Sequence, residues 1–166
     1  MHVLRRCVIR RSGHADRLGD WAVRVPGARD CGGWAFEFAN DIYPDVDDTA
    51  IVVLALLRCE HTPTVERAVQ RGAAWVQSMR SRDGNWAAFD RDNTREIVYR
   101  LPFADFGAML DPPTEDVTAH VVEMLAALGH VPGDESMAPA LSYLGRSQTG
   151  AGSWLGRWGA NHIYGT

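Results

Sequence analysis

Residues 44–58 read Pro-Asp-Val-Asp-Asp-Thr-Ala-Ile-Val-Val-Leu-Ala-Leu-Leu-Arg. Three carboxylates stand at the start, and apolar residues then run on without interruption to Leu57. The β-branched trio Ile51-Val52-Val53 admits a strand. The length of the run and the acidic cluster at its head predict a helix over 46–58 instead. A helix that is apolar almost all round is a buried one.

Outward from this stretch the pattern changes and then returns. Over 63–79, Val65, Ala68, Val69, Gly72, Val76 and Met79 share one helical face. Glu66, Arg67, Gln70 and Arg71 share the opposite face, with Pro63 in the first turn. This predicts an amphipathic outer helix. Residues 113–119, Pro-Thr-Glu-Asp-Val-Thr-Ala, repeat the style of 44–50 and open a third helix over about 114–128, with Gly129 as its stop. Aligning the two Thr-Ala pairs superimposes Asp116 on Asp47. A fourth helix is expected over about 134–146, with Pro139 near its first turn or at a kink. Gly-x-Trp occurs three times, at 32–34, 84–86 and 152–154. Repeated helical hairpins stack into solenoids or close into rings. The predicted fold is all-α: a partial α/α toroid, an incomplete α6–α6 barrel, over residues 16–166. Residues 1–15 show no periodicity and are read as a disordered or non-native stretch.

Composition narrows the function. The chain has 166 residues, 46% of them hydrophobic, and a formal net charge of -4, so nucleic acid is not a suggested partner. No apolar stretch is long enough to span a bilayer, and the basic start lacks the apolar core of a secretory signal. Cys7, Cys31 and Cys59 are odd in number and form no metal-type pair, which fits a reduced, cytosolic setting. Six Trp are many for this length and ask for a packing or binding reason.

The chemistry concentrates at Asp45, Asp47 and Asp48. Three readings stand side by side. They cap the helix, where amide N–H groups and the macrodipole favour negative charge. They bind Mg²⁺, although no phosphate-binding loop accompanies them. Or one keeps its proton, because close carboxylates cannot all ionise cheaply, and acts as a Brønsted acid. The third reading needs a partner for the conjugate base. Asp116 and His120, four apart on one helical face, offer it: Asp116 would hold the imidazole charged, and His120 would reach Asp47. The plain alternative for His120 is a core histidine satisfied by its own carboxylate.

These residues carry a resemblance. Asp45-Val46-Asp47-Asp48-Thr49-Ala50, preceded by Gly32-Gly33-Trp34-Ala35-Phe36-Glu37-Phe38 and Tyr43-Pro44, resembles the acid motif of the squalene–hopene cyclases. Segments 111–120 and 152–166 resemble two further motifs of that family, in order, and the likeness runs from about Gly19 to Thr166. The resemblance implies Asp47 as proton donor, Asp45 and Asp48 as flanking carboxylates, His120 as the histidine bonded to the donor, and Asp116 as its supporting carboxylate. It implies Phe36, Phe89, Phe103, Phe106, Trp158 and Tyr164 as aromatics of the reaction chamber or its supporting shell. Phe89 stands where the family commonly has Tyr. For Phe38 and Trp75 core packing is preferred. The Gly-x-Trp copies resemble Gln/Trp repeats that tie helix ends together. Gln148 fits that pattern, whereas Arg80 stands where Gln is usual, which predicts a weaker clamp there.

The implied activity is protonation of a terminal alkene of squalene and cationic polycyclisation to hopene or hopanol. No cofactor and no metal is implied. The implied partners are squalene or a similar polyprenyl hydrocarbon, a membrane surface for the complete enzyme, and the remaining cyclase segments that close the chamber. The implied location is cytoplasmic and peripheral (monotopic) at the membrane. The Asp-Asp-Thr-Ala string, in place of the Cys-Thr-Ala-Glu pattern of oxidosqualene cyclases, favours the hydrocarbon over the epoxide. Members of the family are far longer, so the chain is expected to be a fragment, inactive alone. A cyclase of another polyprenyl substrate and a non-catalytic helical-repeat module are the alternatives.

Overall fold

A computed structural model describes residues 32–36, 43–94, 110–157 and 161–166. The expectations for residues 1–15, Cys7, Cys31, Phe38, Phe103, Phe106 and Trp158 lie outside the described residues. Five helices are described: α1 Val46–Leu57, α2 Pro63–Ser78, α3 Glu115–Ala127, α4 Ala138–Ser147 and the short α5 Asn161–Gly165. The only extended pairings among the described residues are isolated bridges, Trp34 with Asp45 and Asn93 with Asp111. The architecture is all-α.

Each long helix begins and ends for a local reason. Asp45 caps α1, its Oδ1 accepting the amide N–H of Asp47 at 2.7 Å and of Asp48 at 3.1 Å. Thr62 caps α2 by accepting the Val65 N–H at 3.3 Å, and Pro63 follows it in the first turn. Helix α3 ends at a left-handed Gly129 (φ 93°). There Gly129 N–H donates to Ala126 O and His130 N–H to Leu125 O, the paired bonds of a Schellman stop. The fourth helix starts at Ala138, not near Asp134. Pro139 has no N–H and its ring crowds the carbonyl four residues back, so it tolerates only the first turn. Residues 134–137 form a turn instead, with Met137 N–H and Ala138 N–H both donating to Asp134 O.

Helix α1 packs against both α2 and α3, and α3 packs against α4. Trp34, Trp75, Trp86, Val46, Val53 and Val121 sit in the core between them. Gly72 permits the close approach of α2 to α1. A Cβ there would lie 2.7 Å from Trp34 Cζ3 and 2.8 Å from Val53 Cγ2. The expectation that α1 is buried all round needs correcting. Its buried side chains are Val46, Thr49, Ala50, Val53 and Leu56, while Ile51 remains 43% exposed. Among the described residues its close helical neighbours are α2 and α3, which leaves one side open.

The sequence copies also recur as bonds. Trp34 N–H donates to Thr49 Oγ1 at 2.8 Å, and Asp45 N–H donates to Trp34 O. One copy later, Trp86 N–H donates to Thr118 Oγ1 at 3.3 Å, and Thr114 N–H donates to Trp86 O. The indole N–H of Trp86 donates to Val76 O and that of Trp154 to Leu144 O, each at 2.7 Å. Each indole thereby adds a donor to a carbonyl in the last turn of α2 or α4, beside the Met79 N–H on Val76 O and the Ser147 hydroxyl on Leu144 O. Gly84 and Gly152, two residues before these tryptophans, both take positive φ, 91° and 81°. Gln148 Nε2 donates to Gly152 O in its own loop. Arg80 instead donates from Nη1 to Glu135 O at 2.7 Å, so it links two copies where Gln148 ties one.

Candidate active site

Helices α1 and α3 start at the same end of the molecule because each is latched through a threonine to the tryptophan loop before it. This brings Asp47, in the first turn of α1, opposite His120, one turn into α3. His120 Nδ1 lies 2.5 Å from Asp47 Oδ1. The hydrogen bond to Asp47 raises the histidine pKa above its usual 6.5 and outweighs the opposing effect of burial. The charges of Asp47, Glu123 and Asp116 push the same way. This shift favours the imidazolium relative to a free histidine, a form in which Nδ1–H donates to Asp47. The second oxygen, Asp47 Oδ2, accepts a hydrogen bond from the Tyr164 hydroxyl at 3.4 Å.

The three clustered carboxylates occupy different environments. Asp45 is buried, and burial pushes its carboxyl up to about 7 despite the two amide N–H bonds it accepts. The charges of Asp48 and Asp47 add to that rise. Asp48 is raised by burial first and by the charge of Asp47 second. Its buried Oδ2 has no hydrogen-bond partner among the described residues. Only Asp47 reaches toward α3. Asp45 thus caps the helix while the Asp47 carboxyl meets His120.

Asp116 does not orient His120 by a hydrogen bond. Its Oδ1 accepts the Val117 N–H and its Oδ2 accepts the Arg157 N–H, each at 2.9 Å, and it acts on the imidazole through its charge. Phe89 is partly buried against the core, on the loop whose Ala88 carbonyl accepts the first amide of α1. Phe36 is 76% exposed, two residues beyond the Trp34–Asp45 bridge.

Two further residues shape the site without having been singled out from the sequence. Asp111 is buried, and its Oδ2 accepts the N–H of Phe89 at 2.5 Å and of Asp90 at 2.8 Å. Arg157 Nη2 donates to Leu110 O at 2.8 Å while its amide holds Asp116. Asp111 stands before a Pro-Pro pair, and that was its only local signal. Nothing near Arg157 in sequence points to a carboxylate 41 positions away. Among the described residues no His, Cys, Asp or Glu cluster is arranged to hold a metal ion, and no helix is long and apolar enough to cross a membrane.

A family profile describing the squalene-hopene cyclase C-terminal domain matches residues 10–166. The chain is 52% identical, over 155 residues, to a probable squalene–hopene cyclase of Sinorhizobium fredii, a match covering 91% of the chain and 24% of that protein. It is 51% identical to a squalene–hopene cyclase of Bradyrhizobium diazoefficiens, covering 89% of the chain and 23% of the relative. Identity to the squalene–hopene cyclase of Alicyclobacillus acidocaldarius is 47%, with 89% and 24% covered. The chain thus spans about a quarter of the length of the curated relatives it matches. With a profile match over nearly its whole length and relatives near half identity, the chain belongs to the squalene-hopene cyclase family.

Proposed function

We propose that this chain forms the acid-bearing part of a class II triterpene cyclase, with Asp47 protonating a terminal alkene of squalene or a similar polyprenyl hydrocarbon. The observation that carries this reading is the placement of one carboxyl between two donors, His120 on Oδ1 and Tyr164 on Oδ2. In the step proposed, the alkene π pair takes the Asp47 proton. A C–H bond forms, the carboxyl O–H bond breaks, and positive charge appears on the more substituted alkene carbon. The carboxylate left behind is stabilised by the His120 N–H and by the N-terminal end of the α1 dipole. Burial raises the carboxyl of Asp45 to about 7 and that of Asp48 above its ordinary range, which disfavours further negative charge beside Asp47. Asp116 supports His120 electrostatically.

Phe36, Phe89, Phe103, Phe106, Trp158 and Tyr164 are the aromatics assigned to the chamber or its shell. Aromatic faces stabilise a passing cation by about 0.5–2 kcal/mol each, without the lone pair that would trap it. The charge then moves through successive ring closures toward hopene or hopanol in a site that excludes water. The paired helices are read as part of an α/α toroid, and the recurring tryptophan clamps as Gln/Trp-type repeats. The chamber is completed by the remaining cyclase segments, and the enzyme works as a peripheral, cytoplasmic-side membrane protein.

The test is Asp47→Asn in a full-length cyclase carrying this segment. Squalene consumption and polycyclic product are measured by gas chromatography after detergent-solubilised incubation. Cyclisation should fall below detection while binding of a squalene analogue persists. Turnover close to that of the parent would assign the acid elsewhere.

A further inference from the structure

Tyr164 meets Asp47 although little packing holds it. The residue is 44% exposed, and the neighbouring Ile163 is 89% exposed. Its position must therefore come from the backbone that carries it. That backbone is seated on residues 154–156 at Gly165 and Thr166, beside the His162 side chain, whose Nδ1 lies 3.2 Å from Trp154 O and 3.1 Å from Ser153 Oγ. At Gly165, an added Cβ would run into the Gly156 nitrogen, and would lie 2.6 Å from the Leu155 carbonyl carbon and 2.7 Å from the Trp154 carbonyl oxygen. All three are main-chain atoms, which cannot swing aside as a side chain would. Gly165 does not have positive φ, so the glycine supplies room for close approach and not an unusual backbone conformation. At Thr166, one hydroxyl serves both sides of a single residue, accepting the Trp154 N–H at 3.0 Å and donating to Trp154 O at 3.4 Å.

The seat is itself anchored at both ends. Trp154 is tied to α4 through its indole N–H on Leu144 O. Arg157 is tied through its amide to Asp116, in the first turn of the helix that carries His120. The two donors to Asp47, His120 and the Tyr164 phenol, are thus referenced to the same framework.

We propose that Gly165 and Thr166 are positioning residues that seat the Tyr164-bearing turn on Trp154–Gly156 and so aim the phenol at Asp47 Oδ2. This rests on the reading of Asp47 as the acid. A side chain at Gly165 lifts the turn off its seat. The phenol then withdraws from an oxygen it already reaches only at 3.4 Å. The hydrogen bond that would share the negative charge left on Asp47 is lost, while the Asp47–His120 pair stays in place.

The experiment uses a full-length cyclase carrying this segment and compares Tyr164→Phe, Gly165→Ala, their combination, Thr166→Val and Thr166→Ser, with kcat and KM for squalene measured for each. Tyr164→Phe and Gly165→Ala should each lower kcat by a similar factor, about 10- to 100-fold, as for loss of one hydrogen bond to a charged group. KM should change by less than about 2-fold, because substrate binding is not the function removed. The combined variant should be no slower than the slower single one, since both remove the same contact. Thr166→Val should lose rate and Thr166→Ser should recover it, and this pair decides the matter if Gly165→Ala does not fold. A Gly165→Ala enzyme at the parental rate, or a combined loss equal to the product of the single losses, would overturn the proposal. So would parental kcat in Thr166→Val or in Tyr164→Phe. An active Asp47→Asn enzyme would instead overturn the acid reading on which it rests.

Discussion

Asp45→Asn separates the cost of a buried charge from the benefit of a helix cap. Asp45 is 7% exposed, and its carboxyl is pushed from an ordinary 3.8 up to about 7, chiefly by burial. A rise of that size corresponds to at most about 4 kcal/mol between protonated and ionised forms. The native state holds the proton more tightly than the unfolded chain. The associated stability is therefore complete below about pH 4 and is lost as pH rises through about 7. Asparagine keeps an oxygen to accept the Asp47 and Asp48 amides and is itself a favoured cap, but it carries no charge to desolvate. The two amide bonds, which lower the carboxyl pKa, are already contained in the net rise. The variant should therefore be more stable than the parent by up to about 4 kcal/mol near pH 8 and close to equal near pH 4. Urea unfolding followed by tryptophan fluorescence at several pH values measures the difference. A variant less stable than the parent at pH 8, or a difference that does not change with pH, would refute the reasoning, because Asp45 would then be ionised at little cost in the native fold.

Three other outcomes follow from the same geometry. His120→Phe in a full-length cyclase should slow turnover and flatten the pH–rate profile. The raised histidine pKa keeps the imidazolium above its usual range, so the parent loses rate as pH climbs through that higher value, whereas the variant has no such limb. Gly72→Ala should destabilise the fold by about 1–3 kcal/mol, read from the urea midpoint, since its Cβ meets the buried Trp34 ring and Val53. Trp86→Phe should cost about 2–4 kcal/mol by the same measurement. It removes both ring volume from a fully buried site and the indole N–H bond to Val76 O.

Helices α1, α2 and α3 were readable almost to the residue, because their caps, prolines and apolar periods act over three or four positions. The Asp45 cap, the Pro63 start and the Gly129 stop are all of this kind. The start of α4 was misread. Residues 134–137 form a turn, and Pro139 had the stronger claim on where a first turn could begin. Arg80, where Gln is usual, reaches the Glu135 carbonyl in the turn before α4, a contact that depends on where that turn lies.

The candidate site divides along the same line. Sequence by itself determined that Asp45, Asp47 and Asp48 stand at a helix start and that Asp116 and His120 share a helical face, since backbone geometry fixes both relations. Only the tertiary structure set the distance at which Asp47 meets the histidine 73 positions away. It also decided that Asp116 holds the Arg157 amide, and that a phenol 117 positions from Asp47 reaches its other oxygen. The physical reason is that spacing along a chain sets directions within one helix, whereas distances between helices are set by packing. Here that packing consists of the Thr49 and Thr118 latches, the close contact at Gly72 and the tryptophan clamps at the helix ends.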